Sequence, residues 1–480
     1  MSRKKIISVT KLLLPMAIIC LFFVTDNEYV NAGENISISG NTQLRYIGRF
    51  QSDSEQAEDH KLHQIGDIEV SEKYWGHFRL IVAGDMMEDL NDTTDDNSDL
   101  SKSIHDSWDE SYHGYLYQCR AEIYRLGFLN YARLGRQYIN NELHSHLDGI
   151  NISLNILNNH LQPFAYGGIP VRLYDNEGYN LDDYLNAQEA GGGTHIIIGQ
   201  STKITLEYKY IEEKIEENSD SIGSYGESGT SRFHQSAFSI KQDLMGYGLA
   251  YISFVALDKI AKHINTVFSF SFDNIGLDVD ASYFYQFKSL SEFPATESPY
   301  INLTGEIKPY HLATLDISKD IYYNLISISF GSEVRLMGSD EDETEFNHSY
   351  FNGYLALSFD NLFLNGLHFS LQCDHWQVLD TNSDDELLEN NENDTIISGG
   401  GEVGYRKPKF INLSLGFYYS LYKSDYNEDF YSIDEKSHVY TFYSKIRYYI
   451  KPWLYVDARY ELETYDMWDH RVIATVGQEF

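Results

Sequence analysis

From residue 35 to the C-terminus, apolar and polar side chains alternate one for one in segment after segment. In 43–50, Leu44, Tyr46 and Phe50 fall on one face, and Gln43, Arg45 and Arg49 on the other. In 275–286, Leu277, Val279, Ala281, Tyr283 and Tyr285 oppose Asp278, Asp280, Ser282 and Gln286. In 411–422, Leu413, Leu415, Phe417, Tyr419 and Leu421 oppose Asn412, Ser414, Gly416 and Ser420. A period of two with one apolar face marks a half-buried β-strand. The pattern predicts strands near 35–50, 62–74, 76–88, 113–125, 129–140, 148–156, 161–172, 192–199, 203–213, 232–241 and 245–256. A second set follows near 262–272, 275–288, 308–318, 324–337, 349–359, 363–377, 395–406, 409–423, 437–450, 453–466 and 469–480. The count is even, best read as 22 and bounded below at about 18.

The connections alternate as well. Every second one is tight: Trp75-Gly76, Gly127-Phe128, Asn158-Asn159, Gln200-Ser201-Thr202, Asp273-Asn274, Asp360-Asn361, Lys407-Pro408 and Lys451-Pro452. The others are mostly long and acidic, as in 89–112, 174–191, 214–231, 289–307, 338–348, 378–394 and 424–436. Outer-membrane barrels have short periplasmic turns and longer external loops, whereas a soluble sandwich or propeller gives no reason for the inequality. An even number of crossings from a periplasmic start returns the last strand, with Val472, Ala474, Val476, Gln478 and Phe480 on one face, to the periplasm. The expected fold is an all-β transmembrane antiparallel barrel. Its apolar faces meet lipid and its polar faces meet water. No segment is long enough for a separate plug domain.

Residues 1–32 read as a signal peptide and 33–480 as the barrel. Arg3, Lys4 and Lys5 precede the apolar stretch Leu12–Val24, and Val30-Asn31-Ala32 offers a small-residue cleavage site. An uncleaved anchor fits less well, because a spanning helix takes about 20 apolar residues. Lipidation at Cys20 is disfavoured by the bulk of Ile18 and Ile19.

Composition fits a barrel that hydropathy scans miss. The chain has 39 Tyr, 8 Pro and 15% aromatics, with a mean hydropathy of −0.39. Tyrosine suits strands and the membrane interface alike. A net charge of −36 is easily carried in wet loops and a wet lumen, and it argues against nucleic acid as a partner. Cys119 and Cys373 lie in strand patterns and match no metal spacing. They are expected to be free thiols facing lipid.

The whole mature chain resembles porin-like outer-membrane barrels. Within it, Ala132-Arg133-Leu134-Gly135-Arg136-Gln137 followed by Leu147-Asp148-Gly149-Ile150 resembles a stretch of alginate-export-like porins. The resemblance implies that Phe480 is read by the barrel-assembly machinery, although Gln478 stands where an aromatic or apolar residue is usual. It transfers no substrate.

The polar faces supply the candidate pore lining. Its basic members are Arg45, Arg49, Arg79, Arg120, Arg133, Lys209, Arg335, Lys445, Arg447 and Arg459. Its acidic members are Asp67, Glu69, Asp85, Glu122, Glu207, Asp278, Asp280, Glu333, Asp457 and Glu461. Such residues can set a transverse field that filters solutes, or simply tie the wall together as cross-strand pairs. Arginines in the first five strands point to anion preference on that side. Arg136 falls on the lipid face with Leu134, which requires either a headgroup-level position or a bulge.

Two other chemistries fit poorly. Asp92, Asp95, Asp96 and Asp99 crowd one loop, and Asp380, Asn382 and Asp384 begin like a calcium loop. That loop has Asp385 at the turn glycine and Asn391 at the bidentate glutamate. Bridging of divalent ions to lipopolysaccharide, or plain solvation, suits these acids better. Catalysis finds no Gly-x-Ser-x-Gly or His-Glu-x-x-His motif. Many histidines read as loop residues (His60, His63, His113, His144, His146), and Asp374-His375-Trp376 reads as polar trim.

The expected function is passive diffusion of small hydrophilic solutes through the outer membrane of a Gram-negative bacterium. No cofactor or enzymatic activity is implied, and 89–112 is the best candidate for an inward loop. The expected partners are outer-membrane lipid, lipopolysaccharide, the assembly machinery and the solutes. The alternatives are an export conduit for an anionic polysaccharide, favoured by a continuous basic ladder, and a structural or adhesive surface barrel.

Overall fold

Strands whose two faces differ in polarity need two different surroundings, and in hydrocarbon every backbone donor and acceptor must be paired within the sheet. A closed ring satisfies both demands. The computed structural model describes residues 36–51, 58–72, 76–90, 112–171, 187–215, 229–289, 308–322, 325–339, 347–361, 363–379, 395–428, 431–464 and 468–480. The signal segment and the acidic clusters of 91–111 and 380–394 lie outside the described residues.

The fold is one 22-stranded antiparallel sheet. Its strands are β1 (Ile36–Gln51), β2 (Glu58–Glu72), β3 (Phe78–Asp89), β4 (Tyr112–Leu126), β5 (Leu129–Ile139), β6 (Ser145–Leu154), β7 (Leu161–Pro170) and β8 (Ala187–Ile198). Next come β9 (Thr202–Ile215), β10 (Gly229–Asp243), β11 (Gly248–Leu257), β12 (Ile260–Phe272), β13 (Leu277–Gln286), β14 (Tyr310–Tyr322) and β15 (Ile326–Met337). The last are β16 (Tyr350–Asp360), β17 (Leu367–Val378), β18 (Thr395–Lys407), β19 (Ile411–Glu428), β20 (Tyr431–Lys451), β21 (Leu454–Thr464) and β22 (Trp468–Glu479). Each strand pairs with its sequence neighbours, and β1 also pairs with β22, from Asn41 opposite Glu479 to Gln51 opposite Asp469. At the end of this seam Gly40 and Phe480 exchange two backbone hydrogen bonds, of 2.9 and 3.0 Å. The ring leaves no free edge.

Every predicted strand is present, but several ends move. The predicted loop 424–436 is largely ladder, since β19 and β20 stay paired out to Glu428 opposite Tyr431. Backbone pairing needs no apolar face, so acid-rich sequence continues a hairpin that side-chain patterning reads as loop. β14 runs on to Tyr322 through a bulge after Asp320, which shortens the long turn expected at 319–323. β8 begins at Ala187 rather than 192 because the Gly191-Gly192-Gly193 run carries no pattern.

The two-residue turn Asp258-Lys259 between β11 and β12 lies at one end of the barrel, whereas the tight connections read from the sequence all lie at the other. There the backbone reaches positive φ at Gly127 (61°) and at Asn158 and Asn159 (54° and 70°). This is the left-handed region that glycine and asparagine tolerate best.

Register divides the sheet into two faces. Leu80, Val82, Leu134, Ile150, Leu206, Phe238, Phe254, Leu371, Leu415, Phe442 and Val476 are large, apolar and exposed, and all fall on one face. Cys119 and Cys373, both free and exposed, share it, opposite Val82 and Leu355 respectively. The other face is interior. Residues of the 140–144 connection, which joins β5 to β6, contact β9, β10 and β11 on that face.

Inside, bulky rings lie flat across glycines. Tyr354 on β16 crosses Gly331 on β15 to reach Asp316 on β14 at 2.8 Å. Tyr443 on β20 crosses Gly416 on β19 to reach Glu402 on β18 at 2.6 Å. A Cβ on Gly416 would stand 2.1 Å from the Tyr443 ring, and one on Gly331 would stand 2.1 Å from that of Tyr354. Such an aromatic covers the bare backbone and ties three strands together. Gly416→Ala is expected to lower the unfolding free energy in vesicles by about 1–3 kcal/mol through displacement of the ring. In a Tyr443→Phe background, where the bond to Glu402 is already gone, urea titration should show a smaller loss.

Candidate functional site

The interior face carries every charged residue proposed for the lining, because all sit at alternate positions opposite the apolar ones. They are not distributed evenly. On β3 to β5, positive charge is neutralised locally. Arg79 meets Glu69 of β2 at 3.3 Å, and Glu122 takes both Arg133 at 3.1 Å and Arg120 at 3.8 Å. Arg133 also stacks over Tyr131, 4.1 Å from the ring centroid. Asp85 faces His63 at 3.7 Å, while Asp67 is exposed.

Around the seam the same pairing recurs. Arg49 grips Asp469 through two nitrogens at 2.8 and 2.5 Å, linking β1 to β22. Arg447 meets Asp457 at 2.9 Å and Arg459 meets Glu461 at 2.6 Å. Among the described residues Arg45 binds the neutral Gln43, and Lys445 is exposed. These pairs match the wall-binding alternative more than a row of free cations. The arginines near the start of the chain therefore give no net anion-attracting surface.

Half a turn around the ring the balance reverses. The interior faces of β13 to β18 carry Asp278, Asp280, Asp316, Glu333, Asp374 and Glu402. On the same strands Arg335 and, at the turn end of β18, Arg406 are their basic counterparts among the described residues. Asp278 and Asp280 are exposed. Glu333, Asp316 and Glu402 accept hydrogen bonds from Tyr350, Tyr354 and Tyr443, and Asp374 accepts one from Gln372. A neutral donor orients a carboxylate without cancelling its charge. Arg335 itself binds Asn347 at 3.2 Å and stacks over Tyr310.

A second feature is the inward segment 140–144. The Glu142 carboxylate accepts hydrogen bonds from Ser239 Oγ on β10, at 2.6 Å, and from Tyr251 Oη on β11. The Leu143 backbone N–H donates to Glu207 at 3.1 Å, and Tyr166 Oη donates to the same carboxylate at 2.9 Å. Lys209 donates to the His144 carbonyl and to Ser145 Oγ at 3.0 and 3.1 Å, with Glu189 at 3.9 Å. Leu143 packs with Ala237 and Val255, next to a cluster of Ile139, Leu147, Phe164 and Tyr166. Glu207 and Lys209, read from sequence as open lining, thus anchor this segment and are buried.

The expected inward loop, 89–112, lies mostly outside the described residues. The segment 140–144 is too short to stand out in the sequence. Gly191 and Gly193, which lie under the rings of Tyr166 and Phe164, are an available signal of dense interior packing on these strands. Arg136 stays on the outer face, where Asp148 on β6 binds it through two bonds of 2.9 and 2.7 Å. It lies near the long-connection end, with Gly135 at a positive φ of 115° beside it.

No protein-family model and no curated protein matches this sequence. Solved structures do. The P pilus usher (PapC) translocation pore aligns with a TM-score of 0.51 at 7% identity, covering 92% of this chain and 99% of that one. OccK2 (OpdF) of Pseudomonas aeruginosa aligns at 0.44 and 12% identity, covering 92% and 98%. A BenF-like porin from Pseudomonas fluorescens Pf-5 aligns at 0.42 and 10%, covering 92% and 99%. At these identities the likeness is one of fold.

Proposed function

We propose that the protein is an outer-membrane channel through which small hydrophilic solutes diffuse passively, with a preference for cations. The observation that carries this reading is the division of one closed sheet into an exposed apolar face and an interior charged face. Lipid satisfies the first and water the second. The names of the OccK2 and BenF-like neighbours agree with a porin, and the outer membrane of a Gram-negative bacterium is the compartment that suits it. Cation preference follows from arithmetic on the interior. The arginines of the first strands are mostly matched by carboxylates, whereas the six acids of β13 to β18 face two arginines, Arg335 and Arg406. Phe480, hydrogen bonded at the seam, is the residue proposed to signal assembly.

An export conduit for an anionic polysaccharide would need a continuous run of unmatched cations, and the mixed interior disfavours it. Refolded protein in a planar bilayer under a salt gradient tests the proposal. The expected result is steady ohmic conductance with potassium favoured over chloride by about two- to fivefold at low salt, where screening is weakest. Absence of conductance, or a reversal potential of the anion-selective sign, overturns it.

A further inference from the structure

One side-chain arrangement recurs on the outer face and plays no part in permeation. Tyr208 Oη bonds His234 Nδ1 at 2.5 Å, Tyr283 bonds His311 at 2.8 Å, Tyr419 bonds His438 at 2.8 Å, and Tyr460 bonds His470 at 2.7 Å. Tyr46 and His60 repeat it at 2.8 Å. In each case the tyrosine is on an odd-numbered strand and the histidine is on the next. The histidine always stands two residues before the one directly opposite the tyrosine: Ser236, Ala313, Tyr440, Val472 and Leu62 are those opposite residues. All five histidines share the apolar outer face and sit in the part of the strand nearest the long connections.

The bond fixes the chemistry of the ring. A phenol is a better proton donor than a neutral imidazole, so the hydroxyl donates to Nδ1 and the ring hydrogen resides on Nε2. The pairs of His234, His311, His438 and His470 therefore each present an oriented N–H donor, at one level around the barrel. Such a belt at the edge of an apolar surface matches a layer of acceptors. The chain's charge of −36 would repel an anionic leaflet, so attraction has to come from side chains at the rim. Arg136 and Arg232, also on this rim, are already matched to Asp148 and Glu212. The imidazoles of His234, His311, His438 and His470 add neutral donors at the same rim.

We infer that the tyrosine–histidine belt binds the phosphate groups of the outer-leaflet lipid, lipid A. This rests on the proposed membrane reading, since it needs lipid against the outer face. The test uses refolded protein in phosphatidylcholine vesicles containing either bis-phosphorylated lipid A or the same lipid A with its phosphates removed. Native mass spectrometry after detergent extraction then counts retained lipid A. The expected result is about tenfold greater retention of the phosphorylated form, as charged acceptors strengthen hydrogen bonds. A variant carrying His234→Phe, His311→Phe, His438→Phe and His470→Phe is expected to lose that preference. Wild-type protein also serves if the variant does not fold: solid-state NMR should detect dephasing between lipid phosphorus and histidine Nε2. Equal retention of both lipids by the wild type, an unchanged preference in a folded variant, or absence of phosphorus–Nε2 coupling overturns the inference. If wild-type protein still conducts when this happens, the channel reading survives. Failure to insert or conduct in either lipid overturns both.

Discussion

Replacing Glu142 and Leu143 together by alanine is expected to raise single-channel conductance about twofold and to make the open current noisier, since a constriction sets the resistance of a pore. The segment 140–144 is held in the lumen by a small set of contacts. Glu142 accepts from Ser239 and Tyr251, Leu143 is 3% exposed, and its N–H meets Glu207. Hydrogen bonds to a charged group contribute about 1.5–3 kcal/mol each, and burial of a leucine contributes about 1.5–3 kcal/mol. The double change removes both Glu142 bonds and most of the leucine burial and leaves the residue-143 N–H bond to Glu207 and the Lys209 bonds, so the segment loosens from the wall. Glu142→Gln keeps the shape and one acceptor, and should change conductance much less. A planar-bilayer recording that shows the alanine variant indistinguishable from the wild type would mean that the segment does not narrow the path.

The second large effect concerns charge. Converting Asp278, Asp280, Asp316 and Glu333 to their amides should abolish cation preference and move the reversal potential to zero or slightly anion-selective. None of these carboxylates is matched by a lysine or arginine among the described ion pairs, so each contributes its full field to the water beside it. A unit charge 4 Å away contributes about 1 kcal/mol even at the dielectric of bulk water, and a few such terms account for a several-fold preference. By contrast, Arg133→Gln is expected to shift selectivity further toward cations, because it unmasks Glu122, which is only 7% exposed at its side chain. High salt should erase both effects.

Much of the architecture was written in the period-two pattern. Strand number, the sidedness of the short turns and the face of every lining residue follow from it, because a barrel in lipid cannot place an apolar and a polar residue interchangeably. What the pattern could not carry was anything set by backbone pairing or by residues that meet around the ring. The β19–β20 hairpin continues through acids that look like loop. The anchoring of 140–144 depends on Ser239 and Tyr251, roughly a hundred residues away. The neutralisation of Arg120 and Arg133 by a single Glu122 needed the register of β4 and β5. Asp316 and Glu402 alternate with small residues, and Asp374 reads as polar trim beside Trp376, so the acidic wall they complete stands out only when their strands are placed side by side.

The account depends on which face of the sheet meets lipid. Cys119 and Cys373 fall midway along β4 and β17 on the exposed apolar face, so spin labels on these native thiols report it directly by electron paramagnetic resonance in vesicles. The account predicts frequent collisions with dissolved oxygen and few with a water-soluble nickel chelate at both sites. The opposite ratio at both sites would place water on the outer face and contradict it.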